Sequence, residues 1–154
     1  HIGVTEAVTG REGTVQSAVA LGILLDQGIG DTMRVSLAAD PIEEVRVGRA
    51  ILAALGRIKT PRLKACPACG RAHMDVAAVA SRIEQWLALP PTPLRIAVMG
   101  CEVNGPGEAG DADWALVATP TGAALYREGR VLARGSLEAI EARLRTELGQ
   151  GPAG

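Results

Sequence analysis

The sequence predicts an α/β fold in two parts, residues 1–60 and residues 61–154. Three observations predict it. Strand-like and helix-like segments alternate over residues 1–56, the order of parallel βα units. After the basic, proline-bearing stretch RIKTPR at 57–62 the pattern changes to short strands with two amphipathic helices. Apolar residues make up 47% of the chain and aromatic residues 2%, so a core is possible but must be built from Ala, Val, Leu and Ile.

Residues 2–8 read as an extended segment carrying Thr5 and Glu6, and Thr9 to Gly13 as a loop. The run at 14–27 reads as a helix, with Thr14 as N-cap and Val15, Ala18, Val19, Ile23 and Leu24 as its buried stripe. Gly28 suits the position just past its end. A strand follows at 32–37, in which Arg34 and Ser36 alternate with Met33 and Val35 and so share one face. The Arg34 fork there suits an oxyanion. Pro41 opens a second helix running to about Leu55. Two such units can neither close a sheet nor cover both of its faces. The chain also starts at His rather than Met, so it is expected to be the tail of a longer βα structure.

In the second part, residues 62–65 lead as a strand into Cys66, and residues 74–88 form an amphipathic helix. The prolines of LALPPTP end that helix. Residues 94–99 form an apolar strand running into Gly100 and Cys101. Residues 114–119 and 122–126 read as strands, and Glu128-Gly129 reads as a turn into 130–133, so Ala123 to Ala133 is expected to form a hairpin. Ser136 caps a last helix with Leu137, Ile140 and Leu144 on one face, and the tail GQGPAG is expected to fray.

Composition removes several function classes. The net charge is −1, the aromatics are two Trp and one Tyr, and the cations read as dispersed over solvated helix faces. That argues against a nucleic-acid binder. No apolar run reaches the roughly 18 residues of a membrane span, and the first residues do not read as a signal peptide. The expected compartment is therefore the reducing cytoplasm, where closely spaced cysteines point to metal or redox chemistry.

The chain has three cysteines: Cys66 and Cys69 in CPAC, and Cys101 in MGCEVNGPGE. Cys66 and Cys101 both follow strand patterns, so neighbouring strands would bring all three sulfurs to the same strand ends. The glycines around Cys101 make a tight loop whose amides can bond to sulfur. Three thiolates leave a fourth position open. His73 would complete a Cys3His zinc site, and Glu108 would supply a more displaceable oxygen ligand. A thioredoxin-like dithiol, or a merely buried Cys101, also fits the spacing.

The segments HIGVTEA (1–7), GIGDTMRVSL (28–37), ADP (39–41), CPACGR (66–71) and VMGCEVNGPGEA (98–109) resemble the 4-hydroxy-3-methylbut-2-enyl diphosphate synthase family. The likeness runs, with gaps, from residue 1 to about 148. It implies the last two βα units of a TIM-type barrel followed by a small α/β domain that carries a [4Fe–4S] cluster. It implies Cys66, Cys69, Cys101 and Glu108 as cluster ligands, and Glu6 as the catalytic carboxylate. It also implies Thr5, Arg34, Ser36 and Asn104 as substrate-binding residues. The implied reaction is reductive ring opening and dehydroxylation of a small cyclic diphosphate in non-mevalonate isoprenoid synthesis, with ferredoxin or flavodoxin as electron donor. The full-length form would be a homodimer, with the barrel of one subunit facing the cluster domain of the other. The six remaining barrel units are absent, so the chain alone is expected to be inactive. Two positions depart from the family pattern. Val8 stands where Gly is usual and could restrict the backbone beside Glu6. Glu102 stands where Val is usual and adds negative charge beside the cluster.

Overall fold

The computed structural model describes residues 1–87, 93–103 and 105–149; within these, the side chains of Pro106 and Glu108 are not described. The proline turn expected around 88–92 and the tail from 150 lie outside the described residues. The chain divides into two compact units, His1–Lys59 and Thr60–Gly154.

The first unit runs β1 (Ile2–Gly3), α1 (Gly10–Asp26), β2 (Met33–Arg34) and α2 (Pro41–Ala54). The two strands pair in parallel, Ile2 with Met33 and Gly3 with Arg34, and Val8 bridges Leu37 further along. Leu21 and Leu25 of α1, Val35, Leu37 and Ile51 of α2 form its core. Both helices end on glycines of positive φ, Gly28 at 78° and Gly56 at 69°. Each end closes the same way: Gly28 N–H donates to Leu25 and Ile29 N–H to Leu24, while Gly56 donates to Ala53 and Arg57 to Leu52. Asp40 caps α2 by accepting from the Ile42 amide at 2.8 Å.

Helix α1 differs from the sequence expectation in two ways. It starts at Gly10 with Thr9 as N-cap, and Thr14 lies inside it, its hydroxyl donating to the Gly10 carbonyl at 2.6 Å. The stripe expected to be buried is the exposed one: Val15, Val19 and Ile23 are more than half exposed, and Gly13, Ser17, Leu21 and Leu25 are buried. Close approach decides this. A Cβ on Gly13 would meet Leu37 Cδ2 at 2.6 Å, so only a face beginning with a glycine can lie this near Leu37.

The second unit contains β3 (Arg62–Ala65), α3 (Val76–Leu87), β4 (Arg95–Met99), α4 (Gly105–Glu108), β5 (Trp114–Thr119), β6 (Gly122–Arg127), β7 (Arg130–Gly135) and α5 (Leu137–Glu147). One sheet has the order β3-β4-β5-β6-β7, parallel from β3 to β5 and antiparallel from β5 to β7. Alternation sorts the side chains. Ile96, Val98, Trp114, Leu116, Ala123 and Leu125 pack against Val79 and Ile83 of α3 and Ile140 and Leu144 of α5. Ala97, Met99, Ala115 and Val117 face the other way and pack with Ala109, just past α4. The β6–β7 turn is Glu128-Gly129, both with positive φ, which matches the twist of a two-residue hairpin. Ser136 caps α5 by accepting from Ala139 N–H at 3.3 Å. Among the described residues no helix is long and apolar enough to cross a membrane.

Candidate functional site

The parallel pairing of β3 with β4 runs from Arg62 opposite Arg95 to Ala65 opposite Val98. The ladder continues one residue further, where Cys66 N–H donates to the Val98 carbonyl at 3.0 Å. Cys66 and Cys101 therefore leave the same end of adjacent strands. Cys69 joins them because the Cys-Pro-Ala-Cys turn doubles back through Ala68, whose φ of 57° lies in the left-handed region. Holding an alanine there costs about 1 kcal/mol, which the surrounding fold must supply.

The three cysteines line one cavity of about 210 Å³, together with Pro67, Ala68, Arg71, Met99, Gly100 and Gly105. Cys101 is buried, Cys66 half-buried and Cys69 exposed, and all three are free thiols. Two glycines make the space. A Cβ on Gly100 would meet Val76 at 2.8 Å and the Cys66 sulfur at 3.4 Å, and one on Gly105 would meet Val117 Cγ1 at 2.4 Å. The Gly100 amide donates to Cys66 Sγ at 3.2 Å, the amide-to-sulfur bond that a tight glycine loop allows. At Cys69 the Arg71 amide, and then its guanidinium, hold the thiol below the ordinary cysteine range. Both favour the thiolate, the form that binds metal.

Glu108 is the last residue of α4, three residues on from Gly105 at the cavity, which is about 4.5 Å along a helix axis. Its side chain, and Asn104 altogether, lie outside the described residues. His73 is exposed and does not line the cavity; only its backbone is engaged nearby, its N–H donating to the Gly100 carbonyl. Among the described residues no group of His, Cys, Asp and Glu is gathered tightly enough to hold a single metal ion. His73, the fourth ligand a Cys3His zinc site would need, is thus not among the residues that line the cysteine cavity. The cavity of about 210 Å³ has room for a group larger than a single ion, and all three thiols line it.

A second constellation sits in the first unit. Thr5 and Glu6 follow β1, and Arg34 and Ser36 lie at and beyond the end of β2. All four are thus at the C-terminal end of one parallel pair, where α/β sheets place their chemistry. Arg34, Thr5 and Glu6 are exposed and Ser36 half-buried, while Val35 and Leu37 point into the core. Val8 causes no strain beside Glu6, because Ala68 and Glu128 are the non-glycine residues of positive φ among the described residues. A glycine's freedom is not required there. One contributor escapes a reading from spacing: Arg71 as the cation on Cys69, whose only hint is an arginine two residues past the second cysteine.

Two family models match the chain, the GcpE protein C-terminal domain over residues 62–150 and the GcpE TIM-barrel domain over residues 1–49. Similar curated relatives carry the name 4-hydroxy-3-methylbut-2-en-1-yl diphosphate synthase (flavodoxin). One from Kocuria rhizophila is 52% identical over 133 residues, 86% of this chain and 34% of its own length. One from Natranaerobius thermophilus is 47% identical over 87% of this chain and 38% of its own length. One from Geobacillus thermodenitrificans is 42% identical over 96% and 40%. The chain thus spans 34–40% of the length of these relatives.

Proposed function

Starting from the chain's membership of the GcpE family, we propose that it works as the C-terminal part of a 4-hydroxy-3-methylbut-2-enyl diphosphate synthase. The reaction is the two-electron ring opening and dehydroxylation of 2-C-methyl-D-erythritol 2,4-cyclodiphosphate. The observation that carries this reading is the convergence of Cys66, Cys69 and Cys101 on one cavity at the ends of adjacent parallel strands. These three, with Glu108 as an oxygen ligand, would hold a [4Fe–4S] cluster. When bound, the cluster supplies single electrons and a Lewis-acidic iron.

The chain's own residues supply the rest. Arg71 favours the thiolate of Cys69, the form in which it would bind the cluster. Arg34 presents two parallel N–H donors to the diphosphate, and Thr5 and Ser36 add hydroxyls on the same strand ends. Glu6 holds the proton that lets the departing hydroxyl leave as water. Asn104 is assigned to the substrate from the cysteine side. The two units of the first half are assigned as the last βα units of a TIM-type barrel, and the complete enzyme as a homodimer reduced by flavodoxin.

Metal analysis after anaerobic reconstitution tests the reading. Four irons and four acid-labile sulfides per chain are expected. Cys101→Ser should lose nearly all of both, since a soft thiolate leaves a three-thiolate frame. Glu108→Ala should retain cluster in reduced yield. One tightly held zinc per chain with no sulfide would sink the proposal.

A further inference from the structure

The cations are not dispersed as the sequence reading expected. Residues 45–74 contain seven of the 16 Lys and Arg and none of the 17 Asp and Glu. That segment carries +7 and the rest of the chain −8.

In the second unit the fold draws part of this charge into a line. Arg62 and Lys64 lie two residues apart on β3, both exposed, and so share one side of the strand. The ladder continues to Cys66, so Arg62, Lys64 and Cys66 alternate along that side over about 13 Å. β3 is an edge of the sheet. At the far end of the line, exposed Arg71 borders the cavity beside exposed Cys69. Exposed basic side chains therefore follow this terminal strand of the described sheet and end at the cysteine cavity, beside exposed Cys69. The other edge, β7, also carries arginines, Arg130 and Arg134, but lies three strands from β4, about 14 Å away.

We propose that this β3 edge, through Arg62, Lys64 and Arg71, docks an acidic electron-carrier protein and brings its cofactor to the cysteine cavity. The inference rests on the iron–sulfur reading above and extends it to the partner's landing surface. Redox encounters use small interfaces, so complementary charge rather than buried area orients them and sets their rate. Each encounter oxidises the carrier by one electron and reduces the cysteine-held cluster by one, and no bond to carbon or oxygen changes. Lysine and arginine on an edge strand also discourage sheet-to-sheet pairing. A purely protective edge predicts no specificity for a carrier.

The test uses the reconstituted 154-residue chain and an acidic flavodoxin as probe. Stopped-flow oxidation of the reduced flavodoxin gives the transfer rate, and titration of the oxidised flavodoxin onto the chain gives binding without any turnover. The variants are Arg62→Glu/Lys64→Glu, the milder Arg62→Gln/Lys64→Gln in case the reversal disturbs folding, and Arg130→Glu/Arg134→Glu on β7. Steering commonly changes association by 10-fold or more, so the reversal at β3 should slow transfer by at least about 10-fold and the neutral pair by about 3-fold. The β7 variant should stay within about 2-fold, and the unmodified rate should fall steeply with added salt. Iron, sulfide and reduction by dithionite should be alike in all. A chain without cluster whose flavodoxin binding still weakens with the β3 changes keeps the docking surface and removes the iron–sulfur reading. A cluster-loaded chain whose transfer is insensitive to salt, or equally sensitive to both edges, overturns the docking surface. So does an edge that binds a single-stranded oligonucleotide and leaves flavodoxin unaffected.

Discussion

In the first unit a two-stranded sheet carries helices on one face, and Val15, Val19, Ile23, Ile42 and Val45 stand 56–63% exposed. In the second, a five-stranded sheet is covered by α3 and α5 on one face and packed around Ala109 on the other, and Ile83, Leu116, Leu125 and Leu144 are fully buried. Full burial of one such side chain contributes roughly 1.5–3 kcal/mol, of which a half-exposed one forgoes a large part. The difference bears on the chemistry. The cysteines hang from the sheet that is closed on both faces, whereas Glu6, Arg34 and their neighbours sit on the open pair. The proposed cluster ligands are thus carried by the better-packed of the two units, and a ligand frame benefits from rigid support.

Hydrogen exchange on the intact chain puts this difference at its largest. Amides of β4 and β5 should exchange only through global opening of the second unit. Those of β1 and β2 should exchange at least about 10³-fold faster, through local opening of a short parallel pair. Equal protection of the two sheets would break the comparison.

Core truncation gives the next effect. Ile83→Ala removes a fully buried side chain between α3 and the sheet, and should cost about 2–5 kcal/mol in denaturant unfolding. Val19→Ala on the exposed stripe of α1 should stay within about 0.5 kcal/mol. A loss at Val19 approaching that at Ile83 would show that the α1 face is covered in solution.

The exposed stripe is also where sequence reading failed, and the reason is physical. α1 is apolar on more than one face, so periodicity offers several stripes and cannot rank them. The choice is made by backbone approach at Gly13, which turns Gly13, Ser17, Leu21 and Leu25 inward even though the Ser17 hydroxyl finds no partner among the described residues. The second unit is easier to read. Its inner strands β4 and β5 are nearly unbroken apolar runs, its hairpin turn is Glu-Gly, and its last helix has a serine cap, all of which are local signals. The convergence of the cysteines was legible on one condition, that the two strand patterns before Cys66 and Cys101 be neighbours, and β3 and β4 are. The single turn α4 was not, since Gly-Pro-Gly-Glu holds poor helix formers; Pro106 is tolerated in a first turn, and Gly105 is demanded by Val117. The amide-to-sulfur bond of the glycine loop was expected and is made by Gly100, but spacing could not reveal that the Arg71 guanidinium meets Cys69.

The smallest expected effect compares one ion pair from each unit. In the first, Arg46 and Glu43 pair within α2, three residues apart and both exposed. In the second, Asp113 joins two strands: it accepts from the Arg95 backbone N–H at 2.8 Å and from the Arg95 guanidinium at 3.1 Å, and its own N–H donates back to the Arg95 carbonyl. These bonds from Arg95, side chain first, lower the Asp113 pKa below the ordinary carboxylate value. The sign follows from that direction. An unfolded aspartate titrates near about 3.9, so the stabilisation is complete above that pH and is lost as pH falls through the lower folded value. Arg95 is exposed and Asp113 only partly buried, which limits the contribution of Asp113 to about 1 kcal/mol or less. Asp113→Asn should therefore lower stability by up to about 1 kcal/mol at pH 7 and flatten the stability profile below pH 4, because asparagine has no proton to take up. Glu43→Gln should cost no more than about 0.5 kcal/mol, in keeping with a pair that spans one helical turn and joins nothing else. If Glu43→Gln proves the costlier of the two, then the bridge between β4 and β5 adds nothing to a sheet already held by its core, and the two units differ in packing alone.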